Sequence, residues 1–339
     1  MQMPTHQAVH VQSAGEALKL VDVETTSPPR DHVRLAVSAC GVCGTDRAFA
    51  NGAFPDVSWP LTLGHEIAGT IAELGAGVDN YAIGDRVAVG WFGGHCNECV
   101  PCLKGDFIHC VKLQVPSWQY PGGYAQSVTV PANALARIPG ELSFAEAAPM
   151  GCAGVTTYDA LRKTRAVPGE RVAILGIGGL GHLGVQFARA MGFETIAIDR
   201  GAGKVEDAGQ LGAHHYIDST DGDVGEALQA LGGVSVVLGT VGSSEAIGQT
   251  VGGLLPLGEL VTIGVTAEPL PISPRQLIGR GISVTGHASG TARDVEDTMQ
   301  FAVVSGVRAR IEELPLGQAA EAYAAMEHGR ARYRMVLTV

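Results

Sequence analysis

Four cysteines fall within fifteen residues, Cys96, Cys99, Cys102 and Cys110, spaced C-x2-C-x2-C-x7-C. Four thiolates can close a tetrahedral shell around Zn2+ and leave no position open, which makes a structural site rather than a catalytic one. Iron–sulfur proteins use similar short runs, so spacing alone does not exclude iron. Structural zinc in a lobe of about residues 93–112 is the expectation. His95 and His109 adjoin this cluster and are surplus to a complete shell. Three cysteines remain. Cys43 lies in Gly41-Val42-Cys43-Gly44-Thr45-Asp46 and Cys152 in Gly151-Cys152-Ala153-Gly154, while His65 lies in Gly64-His65-Glu66. Two thiolates and one imidazole would neutralise Zn2+ and leave a fourth position open, the stoichiometry of a catalytic zinc. Separation in sequence does not by itself bring the three together. Cys40 reads as a small buried hydrophobe.

A second chemistry is written in glycine. The apolar run 171–175 leads into Gly176-Ile177-Gly178-Gly179-Leu180-Gly181 and then a helical pattern. This is G-x-G-x-x-G in its required setting of strand, loop and helix. The first glycine permits a tight turn, the second lets a pyrophosphate approach the backbone, and the third lets helix pack on strand. The free N–H groups of the helix start favour an anion there. Asp199 ends the next predicted strand, where a carboxylate accepts from ribose hydroxyls and repels a 2′-phosphate, so NAD is expected over NADP. Arg200 blurs that preference, because a neighbouring guanidinium can welcome the phosphate. His182, at the opening of the helix, is expected to be solvated, and His214 and His215 to lie at the surface.

These groups need a scaffold, and 339 residues suffice for two domains. The first 150 residues read as β structure with long loops, with runs at 33–37, 69–74 and 86–90 bounded by Gly, Pro or Asp. After Pro168-Gly169 strand and helix alternate. Runs at 171–175, 195–198, 215–217, 234–238, 259–263 and 282–285 predict six strands, and 180–191 and 224–231 predict helices. Alternating β and α implies a parallel sheet covered by helices, here two three-strand halves of a doubly wound fold. The tail predicts helices at 292–304 and 318–326 and a closing strand at 334–338. The reading is a β-rich domain in two pieces around a continuous α/β insert.

Composition limits the partners. The net charge of -11 argues against nucleic acid, which needs a basic face, and against an anionic membrane surface. No run of about 18 residues is apolar enough to span a bilayer. Residues 1–10 lack the pattern of a signal peptide. Seven cysteines, an odd number with four clustered, point to metal and a reducing cytoplasm rather than a disulfide scaffold.

The chain resembles the zinc-dependent alcohol dehydrogenases of the medium-chain dehydrogenase/reductase superfamily, over nearly its whole length. Gly64-His65-Glu66-x2-Gly69-x5-Gly75-x2-Val78 matches that family's zinc signature. The Cys43 segment, the four-cysteine lobe, Cys152-Ala153-Gly154-Val155-Thr156 and the glycine loop follow in family order. The resemblance implies an α/β architecture with a discontinuous GroES-like β-rich catalytic domain, residues 1–152 and 289–339. A doubly wound Rossmann domain, residues 153–288, would complete it. It implies a homodimer or homotetramer, with two zinc ions and one NAD per chain.

The same resemblance implies roles. Cys43, His65 and Cys152 would hold the catalytic zinc, with Glu66 close behind and able to enter the shell during ligand exchange. Thr45 would hydrogen-bond the substrate hydroxyl and pass on its proton, and Asp46 would orient His65. Thr156 would touch the nicotinamide, Val265 would bind the cofactor, Lys204 would help Asp199 at the adenosine ribose, and Arg334 would approach the pyrophosphate. Trp91, from its place in the family pattern, with Phe54 and Trp118 would line an apolar slot suited to primary alcohols and aldehydes, including aromatic ones; the alternative reading of such large aromatics is core packing, expected for about half of them. Cys152, where polyol and threonine dehydrogenases tend to carry Glu, favours the alcohol dehydrogenase branch. Zinc would lower the pKa of the alcohol so that an alkoxide exists near neutral pH, and hydride would pass to NAD. The alternatives are an NADPH-linked aldehyde reductase, a polyol or amino-alcohol dehydrogenase of the same build, and a non-catalytic zinc and nucleotide sensor.

Overall fold

A computed structural model describes residues 4–339 of the chain. It divides into two compact units, one running to Val155 and resuming at Ser289, the other Thr156–Ala288.

In the first unit the organising element is the long strand His32–Gly41, which alternates buried and part-exposed residues along most of its length. The sequence predicts only 33–37 as strand. The observed strand is longer because it has three antiparallel partners, Ile67–Leu74, Ser127–Pro131 and Arg334–Thr338. Val33, Leu35, Val37, Ile67, Ile71, Met335 and Leu337 are buried in one core. Arg86–Val89 and Ala136–Arg137 extend the sheet on one side and Ile311–Pro315 on the other. A small second sheet joins Lys19–Glu24, Thr5–Val11 and Leu61–Thr62.

Antiparallel register decides what meets at the sheet's end. Cys40 pairs with Ile67, and Gly41 with Val336. The C-terminal end of one strand therefore lies beside the N-terminal ends of two neighbours. Cys43, His65–Glu66 and Arg334 come from those three ends.

In the second unit six parallel strands, counted among the described residues, cover the six predicted runs. Their spatial order is His215–Asp218, Glu194–Asp199, Arg171–Leu175, Val234–Gly239, Leu254–Thr262, Ser283–Gly286. Strand order reverses between Arg171–Leu175 and Val234–Gly239, where loops diverge and a doubly wound sheet opens a crevice. The glycine loop leaves the first of these strands, and Thr240 follows the second. The Thr240 hydroxyl donates to the carbonyls of Leu175 and Gly176 at 2.9 Å each, tying the two loops together.

Candidate active site

Cys43 caps the helix Gly44–Ala50, and Asp46, three residues on, accepts a 2.9 Å hydrogen bond from the Cys43 backbone N–H. This is half of a capping box. It fixes Cys43, Thr45 and Asp46 in one turn, with the Thr45 hydroxyl 3.7 Å from the Cys43 sulfur. Cys152 arrives from elsewhere, at the end of the single turn Ala148–Gly151. That turn presses against the end of Arg86–Val89 through two glycines. A Cβ on Gly90 would lie 1.8 Å from the Gly151 carbonyl oxygen, so no larger residue fits there.

The ligand atoms of Cys43, His65, Glu66 and Cys152 all lie within 4.8 Å of one another. The three dispersed residues of the expected catalytic set thus converge. His65 and Glu66 are fully buried. Asp46 Oδ1 lies 3.2 Å from His65 Nδ1, near enough for an ion pair but off the line of a hydrogen bond. His65 Nε2 and Glu66 Oε2 have no hydrogen-bond partner among the described residues. Buried polar atoms left unpaired are costly, and an ion among two thiols, an imidazole and a carboxylate would satisfy them. The donor set fits Zn2+.

The electrostatics lead to the same place. Cys43 and Cys152 compete for one proton. The hydrogen bond between them holds the Cys43 thiol well below its ordinary range and pushes Cys152 well above it. Burial alone would depress the His65 imidazolium, but the adjacent Cys43 and Asp46 raise it well above 6.5. Burial lifts the Glu66 carboxyl to about 7 against the opposing pull of Arg334.

Arg334, expected at a pyrophosphate, is placed with its guanidinium on Glu66 Oε1, both side chains being buried. The expected pocket aromatics form one cluster beside His65. Phe54 packs on Trp118 at 4.9 Å between ring centres, and Trp91 meets the His65 ring edge-on at 5.5 Å. Phe49, fully buried, stacks on Phe54 at 4.2 Å and sits at the centre of the group. Cys40 is buried, as its sequence setting suggests.

Sequence reasoning missed Tyr124. It is fully buried, and its hydroxyl donates to Asp46 Oδ2 at 2.9 Å. Its one sequence signal is the preceding Gly122-Gly123 pair, which reads only as a turn.

The four-cysteine lobe is built around the short helix Val100–Leu103, with Cys99 as its cap. The four sulfurs lie within 4.8 Å of one another, and all seven cysteines are unpaired. The backbone N–H groups of Cys96 and Lys112 donate to the Cys110 sulfur at 3.4 and 3.3 Å. His95 packs on Phe107 and His109 bonds Asp106, and neither belongs to the group of four sulfurs. Cys99→Ser should lower bound zinc by one per chain and lower the unfolding temperature. Structural zinc supplies about 10 kcal/mol or more in isolated fingers, and part of that should appear here. Metal analysis with thermal unfolding checks it, and an unchanged zinc content would refute the site.

In the second unit each loop glycine has a distinct place. Gly176 takes φ +91°, and a Cβ there would meet Val241 at 2.3 Å. Gly181 abuts the Gly176 carbonyl, while Gly178 is exposed with open space over it, as an approaching phosphate requires. Gly179 and Leu180 are part-exposed beside it. Asp199 Oδ2 accepts from the Ile177 N–H and from Lys204 Nζ, each at 2.7 Å, so the acid, the lysine and the loop form one unit. The Arg200 side chain is exposed. Thr156 is buried on the helix Ala153–Arg162, and Val265 is 90% exposed. His182, expected in solvent, is fully buried, with Nδ1 3.1 Å from the Gly178 carbonyl. The helix Gly181–Ala190 is packed on the sheet at its first turn, and this turns the ring inward. His287 Nε2 lies 3.4 Å from buried Asp159.

Comparison with known proteins agrees with this geometry. Residues 29–140 match the alcohol dehydrogenase GroES-like domain and residues 179–303 the zinc-binding dehydrogenase domain. Alcohol dehydrogenase patD of Penicillium expansum is 39% identical over 335 residues, covering 99% of this chain and 98% of that one. Among solved structures, a cinnamyl alcohol dehydrogenase of Sorghum bicolor superposes with a TM-score of 0.91 at 28% identity, over 99% of this chain and 98% of that chain. A cobalt- and zinc-bound thermostable alcohol dehydrogenase of Pyrobaculum aerophilum gives 0.89 at 27%, over 99% and 100%. With matching domains over residues 29–140 and 179–303 and a relative aligned along nearly the whole chain, this protein belongs to the zinc-binding alcohol dehydrogenases of the medium-chain dehydrogenase/reductase superfamily.

Proposed function

We propose that the chain is an NAD-dependent zinc alcohol dehydrogenase that interconverts primary alcohols, aromatic ones included, and their aldehydes. The observation that carries this reading is the convergence of Cys43, His65, Glu66 and Cys152 on one point beside an aromatic wall. Cys43, His65 and Cys152 would hold the catalytic zinc, and Cys96, Cys99, Cys102 and Cys110 the structural one. Zinc, when bound, supplies a Lewis acid that lowers the pKa of a hydroxyl and polarises a carbonyl, and NAD supplies the hydride acceptor.

The chain's own residues do the rest. The Thr45 hydroxyl, beside the Cys43 sulfur, accepts the substrate proton and passes it outward. Residue 48 is Ala, so no side-chain base stands at that position to take the proton on from Thr45. Trp91, Phe54 and Trp118 exclude water and hold an apolar substrate face. Gly178 admits the pyrophosphate, Asp199 with Lys204 receives the adenosine ribose, and Thr156 and Val265 serve the nicotinamide side. The protein would act as a homodimer or homotetramer in the cytoplasm, a reading supported by seven unpaired cysteines. Among the described residues no helix is long and apolar enough to cross a membrane.

Initial rates with benzyl alcohol and ethanol on metal-analysed protein, using NAD and NADP in parallel, test the assignment. Two zinc per chain and turnover with NAD are expected; turnover with NADP alone would transfer the assignment to the reductase reading through Arg200. Asp199→Gly should raise KM for NAD at least about tenfold, the equivalent of one lost charge-assisted hydrogen bond, and narrow the gap to NADP. An unchanged NAD/NADP ratio of kcat/KM would remove Asp199 from the ribose site.

A further inference from the structure

We propose that Tyr124 is a positioning residue for the metal-binding histidine, acting through Asp46. The proposal rests on the zinc reading of Cys43, His65 and Cys152.

Asp46 is fully buried and has two hydrogen-bond donors, both on Oδ2. The other oxygen faces His65 Nδ1. The two donors are not equivalent. The Cys43 N–H belongs to the same helix start as Asp46, so that bond moves with the carboxylate and fixes nothing relative to His65. The Tyr124 hydroxyl comes from 78 residues away. Its own backbone N–H donates to the carbonyl of Leu63, two residues before His65, at 2.9 Å. Tyr124 is therefore a strut between the segment that carries His65 and the turn that carries Cys43 and Asp46.

The strut is rigid. The Tyr124 carbonyl accepts from the Val9 N–H at 2.8 Å, which holds the residue from its other side. The ring lies against the backbone just before His65, where Gly64 takes φ +101° and a Cβ would stand 2.5 Å from Tyr124 Cδ1. This close approach gives a reason for glycine in front of the ligand histidine. A phenyl ring would fill the same space, so packing does not account for the hydroxyl. Its bond to a buried carboxylate does, and such bonds are the strong ones. Partners behind a ligand histidine set the orientation of the ring.

Tyr124→Phe removes one oxygen and keeps the ring. Release of zinc to 4-(2-pyridylazo)resorcinol should then show the catalytic-site ion leaving about tenfold faster, the range found for such supporting contacts. The structural-site ion should leave at the parental rate. kcat should fall while KM for NAD stays put. Tyr124→Phe combined with Asp46→Asn should release zinc no faster than Asp46→Asn alone, because the tyrosine acts through the acid. Equal release from parent and Tyr124→Phe overturns the proposal, as does an additive double variant. Loss of both ions together on unfolding also overturns it, since the hydroxyl would then hold the core. A parent protein carrying a single zinc overturns the zinc reading as well, which distinguishes the two failures.

Discussion

Cys43→Ser protein should turn alcohols over at least about a thousandfold more slowly than the parent while binding NADH unchanged. A Lewis acid contributes several kcal/mol to such a reaction, and each 1.36 kcal/mol is a decade in rate. Serine cannot replace the ligand, because its hydroxyl stays protonated where this thiol does not. The Cys152 hydrogen bond, with His65 and Arg334 nearby, holds Cys43 well below the ordinary thiol range. The glycine loop lies in the other unit, Thr156–Ala288, so its fold does not depend on residue 43. The measurements are zinc content, kcat, and NADH fluorescence titration on one preparation. Parental kcat in a variant shown to lack the second zinc would end the zinc mechanism. His65→Ala should behave alike.

The second large effect concerns Arg334→Met. Arg334 and Glu66 form a buried ion pair, and removing one partner of such a pair costs about 3–5 kcal/mol. The loss should depend on pH in a definite sense. The Glu66 carboxyl is raised from 4.5 to about 7 in the folded protein, first by burial. The folded state then binds this proton more tightly than the unfolded chain. Its contribution is complete below about pH 4.5 and is lost as pH rises toward 7. Without the guanidinium the carboxyl rises further, so the loss extends to higher pH. Urea unfolding of chelator-treated protein should show a larger deficit for the variant at pH 8 than at pH 5. A deficit that is equal at both, or larger at pH 5, would mean that Glu66 does not titrate as described.

The grouping of side chains was legible wherever it is local. The glycine loop, Gly64-His65-Glu66 and the four-cysteine spacing each lie within a few residues, and in the structure each of these groups is assembled compactly. The six parallel strands were legible because buried strands read as continuous apolar runs. Lys19–Glu24 was not singled out: it lies at a sheet edge with most of its side chains exposed, and only Val21 and Val23 mark its part-buried face. Longer-range facts were hidden for a different reason. The pairing of Arg334 with Glu66 spans 268 residues and follows from strand register alone. Tyr124 depends on a positive φ at Gly64, and the inward turn of His182 on how the first helical turn packs. Composition and periodicity carry none of this. The aromatic cluster was half legible, with Phe54, Trp91 and Trp118 named and Phe49 at its centre not singled out.

The split of the first unit around Thr156–Ala288 also has a consequence for synthesis. The inserted sheet is contiguous, so it can finish folding while translation continues, as domains generally do. The surrounding unit cannot, because Arg334–Thr338 fills the place beside His32–Gly41 and delivers the counter-charge to Glu66. Until Arg334–Thr338 has left the ribosome, a nascent chain carries an open sheet edge beside His32–Gly41 and a Glu66 still without its guanidinium partner.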